Sequence, residues 1–221
     1  MPAFTLALSS GDTLACRAVL FDLDGVLVDS MPTIVRHLRD WAVAHGLDAD
    51  RVVELSHGRS NVDLIRVVAP FLPVEREARR MERREVDDVA GIVARPGGAR
   101  LLDALPRRAV VTSGNTAVAR ARLLAAGLPV PDVLVTADDV RVGKPDPEGY
   151  LTAAALVGVS PAECVVFEDA PAGVAAARAA GMRVVGVAGT VDPAELGADH
   201  HVADLDDVRL CPADAHRRST A

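Results

Sequence analysis

Two aspartates separated by one residue, Asp22 and Asp24 in the run AVLFDLDGVLVDS at residues 18–30, are the groups around which chemistry would be organised. Residues 18–21 have the length and apolar content of a buried strand, so Asp22 falls where that strand leaves the core. Side chains at i and i+2 of extended backbone face the same way, which would stand the two carboxylates together at one strand end. Gly25 then frees the backbone to turn away. Carboxylates placed like this can hold a hard cation, attack as nucleophiles or move protons. Asp and Gly are also ordinary turn residues, and an isolated D-x-D-G reads equally well as a solvated acidic turn.

The surrounding elements decide between these readings. Residues 1–17 predict a short hairpin about Ser9-Ser10-Gly11-Asp12, to which no function is assigned. Ser30 is placed to cap a helix with Pro32 in its first turn, and Ile34, Val35, Leu38, Trp41 and Ala42 recur at helical spacing up to Gly46, with Trp41 read as core. Further helices are predicted over 62–69 and 74–94, the last with the charged face EREARRMERREVDD read as solvated surface. From Pro96 the pattern becomes alternating strand and helix: helix 99–105, strand 109–111, helix 116–126, strand 133–135, helix 147–157, strand 164–167, helix 171–180, and strands at 184–187 and 201–203. Residues 212–221 read as a frayed tail. Repeated units with nearly continuous apolar strands predict an α/β fold, a Rossmann-like parallel sheet core covered on both faces. The inserted all-helical cap domain spans residues 31–95, and 1–30 with 96–221 form the core.

Ligands of such sheets bind outside the carboxyl ends of the strands, and four of those ends carry useful groups. Asp22 and Asp24 follow the first. Thr112-Ser113-Gly114-Asn115 follows the next and opens a helix, offering hydroxyls, N–H groups and a positive dipole end to an anion. Lys144, the one lysine in a chain of 24 basic residues, lies in the loop after the third. Glu168-Asp169 follows the fourth. Each has a plainer reading as helix cap, turn or helix start, but together they gather carboxylates that require a cation, for which Mg2+ is the natural choice, beside groups that suit a phosphoryl substrate. An aspartate could then carry the phosphoryl group as an aspartyl-phosphate, with Asp24 serving the leaving oxygen and the water.

The motifs DLDGVLVDS, VVTSGN, GKPDPEGY and VVFEDAPAG resemble, in order and across essentially the whole chain, the four motifs of the haloacid dehalogenase-like hydrolase superfamily. The resemblance implies Asp22 as nucleophile and Asp24 as general acid/base. It further implies Thr112 and Lys144 as phosphate ligands, and Asp22, Asp169 and the Asp24 carbonyl as magnesium ligands with Glu168 assisting. It also implies a helical cap that closes over the core. His57-Gly58-Arg59, VVTSGNTAVARARLLAAGLP and ECVVFEDAPAGV resemble the sugar and polyol phosphatase branch, with His57 and Arg59 as cap residues that could reach substrate. His57 reads equally as a turn residue. Asp24 argues against the dehalogenase branch, and Ile34, where the β-phosphoglucomutases carry a histidine, argues against a hexose phosphomutase. A non-catalytic binding protein on the same fold is the remaining alternative.

Composition is consistent with this. Half of the 221 residues are apolar, enough for a sizeable core. A net charge of −7 argues against nucleic acid as a partner. No apolar run reaches membrane-spanning length, and the first residues lack the pattern of a secretion signal, so a cytoplasmic protein is expected. Cys16, Cys164 and Cys211 read as free thiols. The expected partner is a small phosphorylated sugar or polyol, and the expected state a monomer.

Overall fold

The computed structural model describes residues 4–189 and 191–211. The predicted tail at 212–221 lies outside them. The chain opens with β1 (Phe4–Leu8) and β2 (Thr13–Cys16), the hairpin expected from the turn signal, and continues into β3 (Ala18–Phe21) and β4 (Val28–Asp29). Four helices follow: α1 (Met31–Ala44), α2 (Ala49–Ser56), α3 (Asn61–Val68) and α4 (Val74–Asp87). The chain returns through β5 (Val93–Ala94) and α5 (Gly98–Ala104). Alternating units then run β6 (Arg108–Val111), α6 (Thr116–Ala125), β7 (Leu134–Val135), α7 (Glu148–Val157), β8 (Cys164–Glu168), α8 (Pro171–Ala179) and β9 (Arg183–Val187). Finally come α9 (Pro193–Leu196), β10 (His200–Val202) and β11 (Val208–Cys211).

Six strands form one parallel sheet in the order β10-β9-β8-β3-β6-β7, with β3 between β8 and β6. Alternate residues of β3 feed the two apolar layers: Val19 and Phe21 one, Ala18 and Leu20 the other, all fully buried. Phe21 stacks on Phe167 of β8 at 5.4 Å between ring centroids. The order places the carboxyl ends of β8, β3 and β6 side by side, so sequence motifs far apart in the chain meet at one crevice. The N-terminal hairpin forms a separate antiparallel sheet with β11, in the order β11-β1-β2.

The helices between β4 and β5 bury a core of their own. Leu38, Trp41 and Ala42 of α1 pack with Val52, Leu64, Ile65, Ala78 and Met81 from the other three helices. The chain leaves and re-enters the sheet domain through a short antiparallel pair, Val28 opposite Ala94 and Asp29 opposite Val93. Two expectations change here. α2 was not expected. Its N-terminus is set by Asp48, whose carboxylate accepts from the amides of Asp50 and Arg51, and it buries little beyond Val52. The predicted helix 74–94 stops at Asp87, and its charged face is not wholly solvated, because Glu77 is buried and Glu82 and Glu85 are half-buried. Glu77, Met81 and Glu85 follow each other at i+4 spacing and so share one stripe. Among the described residues no helix is long and apolar enough to cross a membrane.

Candidate active site

Asp22 is fixed at the end of β3 by its amide, which donates to the Phe167 carbonyl of β8 at 2.9 Å. The chain then turns at Gly25, whose φ of +80° suits glycine, and its amide closes on the Val28 carbonyl at 2.8 Å. The Asp22 carboxylate is buried. One oxygen each of Asp22, Glu168 and Asp169 lie within 4.8 Å of one another. Lys144 reaches this cluster from the loop after β7: its Nζ donates to Asp22 Oδ1 at 2.5 Å, to Glu168 Oε1 at 2.7 Å and to the Val111 carbonyl at 3.3 Å. It also lies 5.3 Å from the centroid of the Tyr150 ring of α7. A compact ammonium fits three acceptors converging on one point, a task for which a planar guanidinium is poorly shaped.

The electrostatics follow from this crowding. Burial pushes the Asp22 carboxyl well above its ordinary value; Lys144 opposes that shift, while Glu168, Asp169 and Asp24 reinforce it. For Lys144, burial disfavours the charge, but Asp22 and Glu168 outweigh it and raise the ammonium above its usual range. Tyr150 is raised by burial and by Glu168, so its hydroxyl stays protonated and donates to Glu168 Oε1 at 2.8 Å.

Glu168 is fully engaged. Oε1 accepts from Lys144 and Tyr150, and Oε2 accepts from the amides of Asp169 and Ala170 at 2.9 and 3.0 Å. Four donors use the four acceptor positions of a carboxylate. Glu168 therefore orients Lys144 and the Asp169 backbone, and it stands with Asp22 and Asp169 in the group of carboxylates that could hold a cation. Hard oxygen donors, buried and converging with one ammonium among three carboxylates, fit a hard divalent cation.

Gly173 of α8 makes this arrangement possible, since a methyl at its Cα would stand 1.6 Å from Glu168 Oε1. Gly173→Ala is accordingly expected to displace Glu168 and to destabilise the protein by about 2 kcal/mol or more, as overpacking of a filled site does. Urea unfolding of the purified variant checks this.

The other predicted residues are placed as follows. Thr112 directly follows β6, is buried, and its Oγ1 accepts from the Gly114 amide at 3.1 Å. Ser113 and Asn115 use their side chains elsewhere. Ser113 Oγ donates to the Gly58 carbonyl of the helical block at 2.7 Å, and Asn115 caps α6 by accepting from the Val118 amide at 2.9 Å. Asp24 is not one of the three clustered carboxylates: its Oδ1 accepts from Ser30 Oγ at 2.5 Å and its Oδ2 from Arg122 Nη1 at 2.6 Å. Ser30 stands at the N-cap of α1 as expected, but its hydroxyl is spent on Asp24 and makes no cap bond.

His57, Gly58 and Arg59 form the loop between α2 and α3 that faces the cluster. Gly58, with φ of +73°, packs so close to α8 that a methyl there would lie 2.9 Å from the Ala172 Cβ. His57 is half-buried, and burial lowers its pKa, favouring the neutral ring. Arg59 is exposed, and its Nη1 donates back to the Leu55 carbonyl at 2.7 Å. Both line a cavity of about 100 Å³ that opens on Asp22, Asp24, Thr112, Lys144 and Asp169. A larger cavity of about 290 Å³ adjoins it across Asn61 and Glu85.

Two residues of this site went unread in the sequence, Arg122 and Glu85, which pair at 2.5 Å. Their signals were present: Arg122 sits on the buried face of α6 with Val118, Ala119 and Leu123, and Glu85 follows Met81 at i+4.

A doubly wound core that brings Asp22, Lys144 and Asp169 together beneath a helical block defines an α/β enzyme built to handle an anionic substrate. The chain belongs to the haloacid dehalogenase-like hydrolase family, whose model matches residues 16–181. It is 44% identical over 193 residues to hexitol phosphatase A of Escherichia coli, covering 83% of this chain and 88% of that one. It is 33% identical to the β-phosphoglucomutase of Bacillus subtilis, covering 88% and 92%. Among solved structures, a hydrolase from Pseudomonas syringae superposes with a TM-score of 0.77 at 30% identity, covering 87% and 95%.

Proposed function

We propose that the protein is a magnesium-dependent phosphatase of small sugar or polyol phosphates, with Asp22 as the nucleophile. The observation that carries the reading is the placement of the Asp22 carboxylate at the end of the central strand, against Lys144 and beside Asp169, at the floor of a cavity roofed by the loop at His57–Arg59. An Asp22 oxygen attacks phosphorus, the ester P–O bond breaks, and the leaving oxygen takes a proton from Asp24. Water then gives a proton to Asp24 and attacks the phosphorus; the bond to Asp22 breaks, releasing phosphate and restoring both carboxyl groups. Thr112 and Lys144 would hold the phosphoryl oxygens. Asp22, Asp169 and the Asp24 carbonyl would hold Mg2+, which when bound would neutralise phosphoryl charge.

Residues 31–95 would act as a cap over this chemistry, excluding bulk water while the acyl phosphate exists. The likeness to a hexitol phosphatase supports an acyclic polyol phosphate as substrate, and the cavity's mixed lining, which includes Ile34, Leu38 and Leu64 as well as Asn61 and Arg59, suits a ligand with both C–H and hydroxyl groups. Ile34 cannot relay a proton to a second sugar hydroxyl, which favours hydrolysis over a mutase reaction.

A phosphate-release screen over hexitol, glycerol and hexose phosphates should find turnover that EDTA abolishes and Mg2+ restores. Release from none of these esters with Mg2+ present, or conversion of a hexose 1-phosphate to its isomer without free phosphate, would overturn the assignment.

A further inference from the structure

Arg122 is a buried charge that the reaction scheme leaves without a role. It is 5% exposed, and its guanidinium forks between carboxylates from different parts of the chain. Nη1 donates to Asp24 Oδ2 at 2.6 Å, and Nη2 donates to Glu85 Oε2 at 2.5 Å. Glu85 belongs to α4 of the helical block and is itself held by Asn61 Nδ2 of α3 at 2.8 Å. Burial works against the guanidinium charge, but Asp24 and Glu85 outweigh it. A buried ion triad is a poor stabiliser compared with apolar packing, because desolvation consumes most of what pairing returns. Its useful property is geometric, since it joins the block directly to one oxygen of Asp24.

We propose that Arg122 is a positioning residue that couples the seating of the helical cap to the orientation of Asp24. With α4 in place the fork is shared, one nitrogen to each carboxylate, and Arg122 touches Asp24 at a single oxygen. With α4 lifted away, the guanidinium loses its second carboxylate, and its planar geometry suits a bidentate grip on Asp24 that takes both oxygens. Glu85 thus holds Arg122 back from Asp24, and the proton-transfer group is correctly presented only beneath a seated cap. The contact from Ser113 Oγ to the Gly58 carbonyl seats the same block at a second point, so losing Glu85 need not open the cap entirely.

This inference rests on Asp24 protonating the leaving oxygen, and a comparison of two substrates isolates that step. A polyol phosphate needs the proton as its ester oxygen departs, whereas acetyl phosphate releases acetate without one. The quantity to compare is kcat/KM, which reports events through phosphoenzyme formation. With Mg2+ present, Asp24→Asn and Arg122→Gln are expected to lower kcat/KM for the polyol phosphate by about 100-fold or more while acetyl phosphate falls less than about fivefold. Glu85→Gln, which keeps side-chain size and acts at one remove, should show the same selectivity at about tenfold.

Parallel losses on both substrates in Glu85→Gln would reduce the triad to a structural clasp and overturn the proposal, as would unchanged values. If Arg122→Gln fails to fold, Glu85→Gln decides alone. Failure of the underlying reading looks different, because wild type would then release phosphate from no sugar or polyol ester, and the coupling would fall with it.

Discussion

Asp22→Asn should leave a protein that folds and unfolds cooperatively near the wild-type midpoint but turns over on the order of 10⁴-fold more slowly or worse, the scale seen when a catalytic nucleophile is removed. Asn is isosteric with Asp, and the Asp22 amide keeps its bond to the Phe167 carbonyl, so β3 and its register survive. The ionised carboxylate is disfavoured there by burial and by Glu168, Asp169 and Asp24, so its removal relieves repulsion even as it costs the contact with Lys144. What the variant lacks is the oxygen that would bond to phosphorus. Steady-state phosphate release and thermal unfolding, measured on one preparation, separate the two effects.

Lys144→Met is expected to lose both activity and stability. The ammonium touches Asp22 and Glu168 inside a cluster that also contains Asp169. Breaking a buried ion pair by deleting one partner typically costs about 3 to 5 kcal/mol, because a charge is left in the interior.

The pH dependence has a definite sign. The Asp22 carboxyl is already raised in the folded protein, and removing the ammonium raises it further. The folded state then accepts a proton that the unfolded chain does not, so the variant's deficit should shrink as pH is lowered from about 7.5 towards 5. Urea unfolding of both proteins at the two pH values checks this. A deficit independent of pH would place the lost stability in packing of the lysine stem.

Asp22 was legible in the sequence because its strand motif is local, a short apolar run ending in a polar group, and Lys144 because it is the one lysine, in the loop after a strand. β3, β6, β7, β8 and β9 accordingly lie within about a residue of their expected positions, and the parallel sheet places Asp22, Thr112 and Asp169 on neighbouring strand ends. Less was legible where function depends on long-range pairing. Arg122 meets Asp24 across 98 residues and Glu85 across 37; its place on the apolar stripe of α6 with Val118, Ala119 and Leu123 marks it as buried but does not name its partners. The hydrogen bonds that Glu168 accepts from Tyr150 and Lys144 were hidden for the same reason; it read as assisting at the metal, and it does lie in one cluster with Asp22 and Asp169. Ser113 and Asn115 read as anion-binding from their place at a strand end that opens a helix; which way their side chains turn was not legible, and these bond the helical block and cap α6. β11 could not be seen to join β1, since the pairing spans almost the whole chain: the alternating Phe4, Leu6 and Leu8 of β1 mark a strand but not its partner.

The central claim is that a phosphoryl group passes through Asp22. Wild-type enzyme mixed with a substrate polyol phosphate and Mg2+, quenched during turnover and reduced with borohydride, should carry homoserine at position 22 when its peptides are sequenced by mass spectrometry. An unmodified Asp22 in enzyme quenched while releasing phosphate, or the label at Asp24 or Asp169, would contradict it.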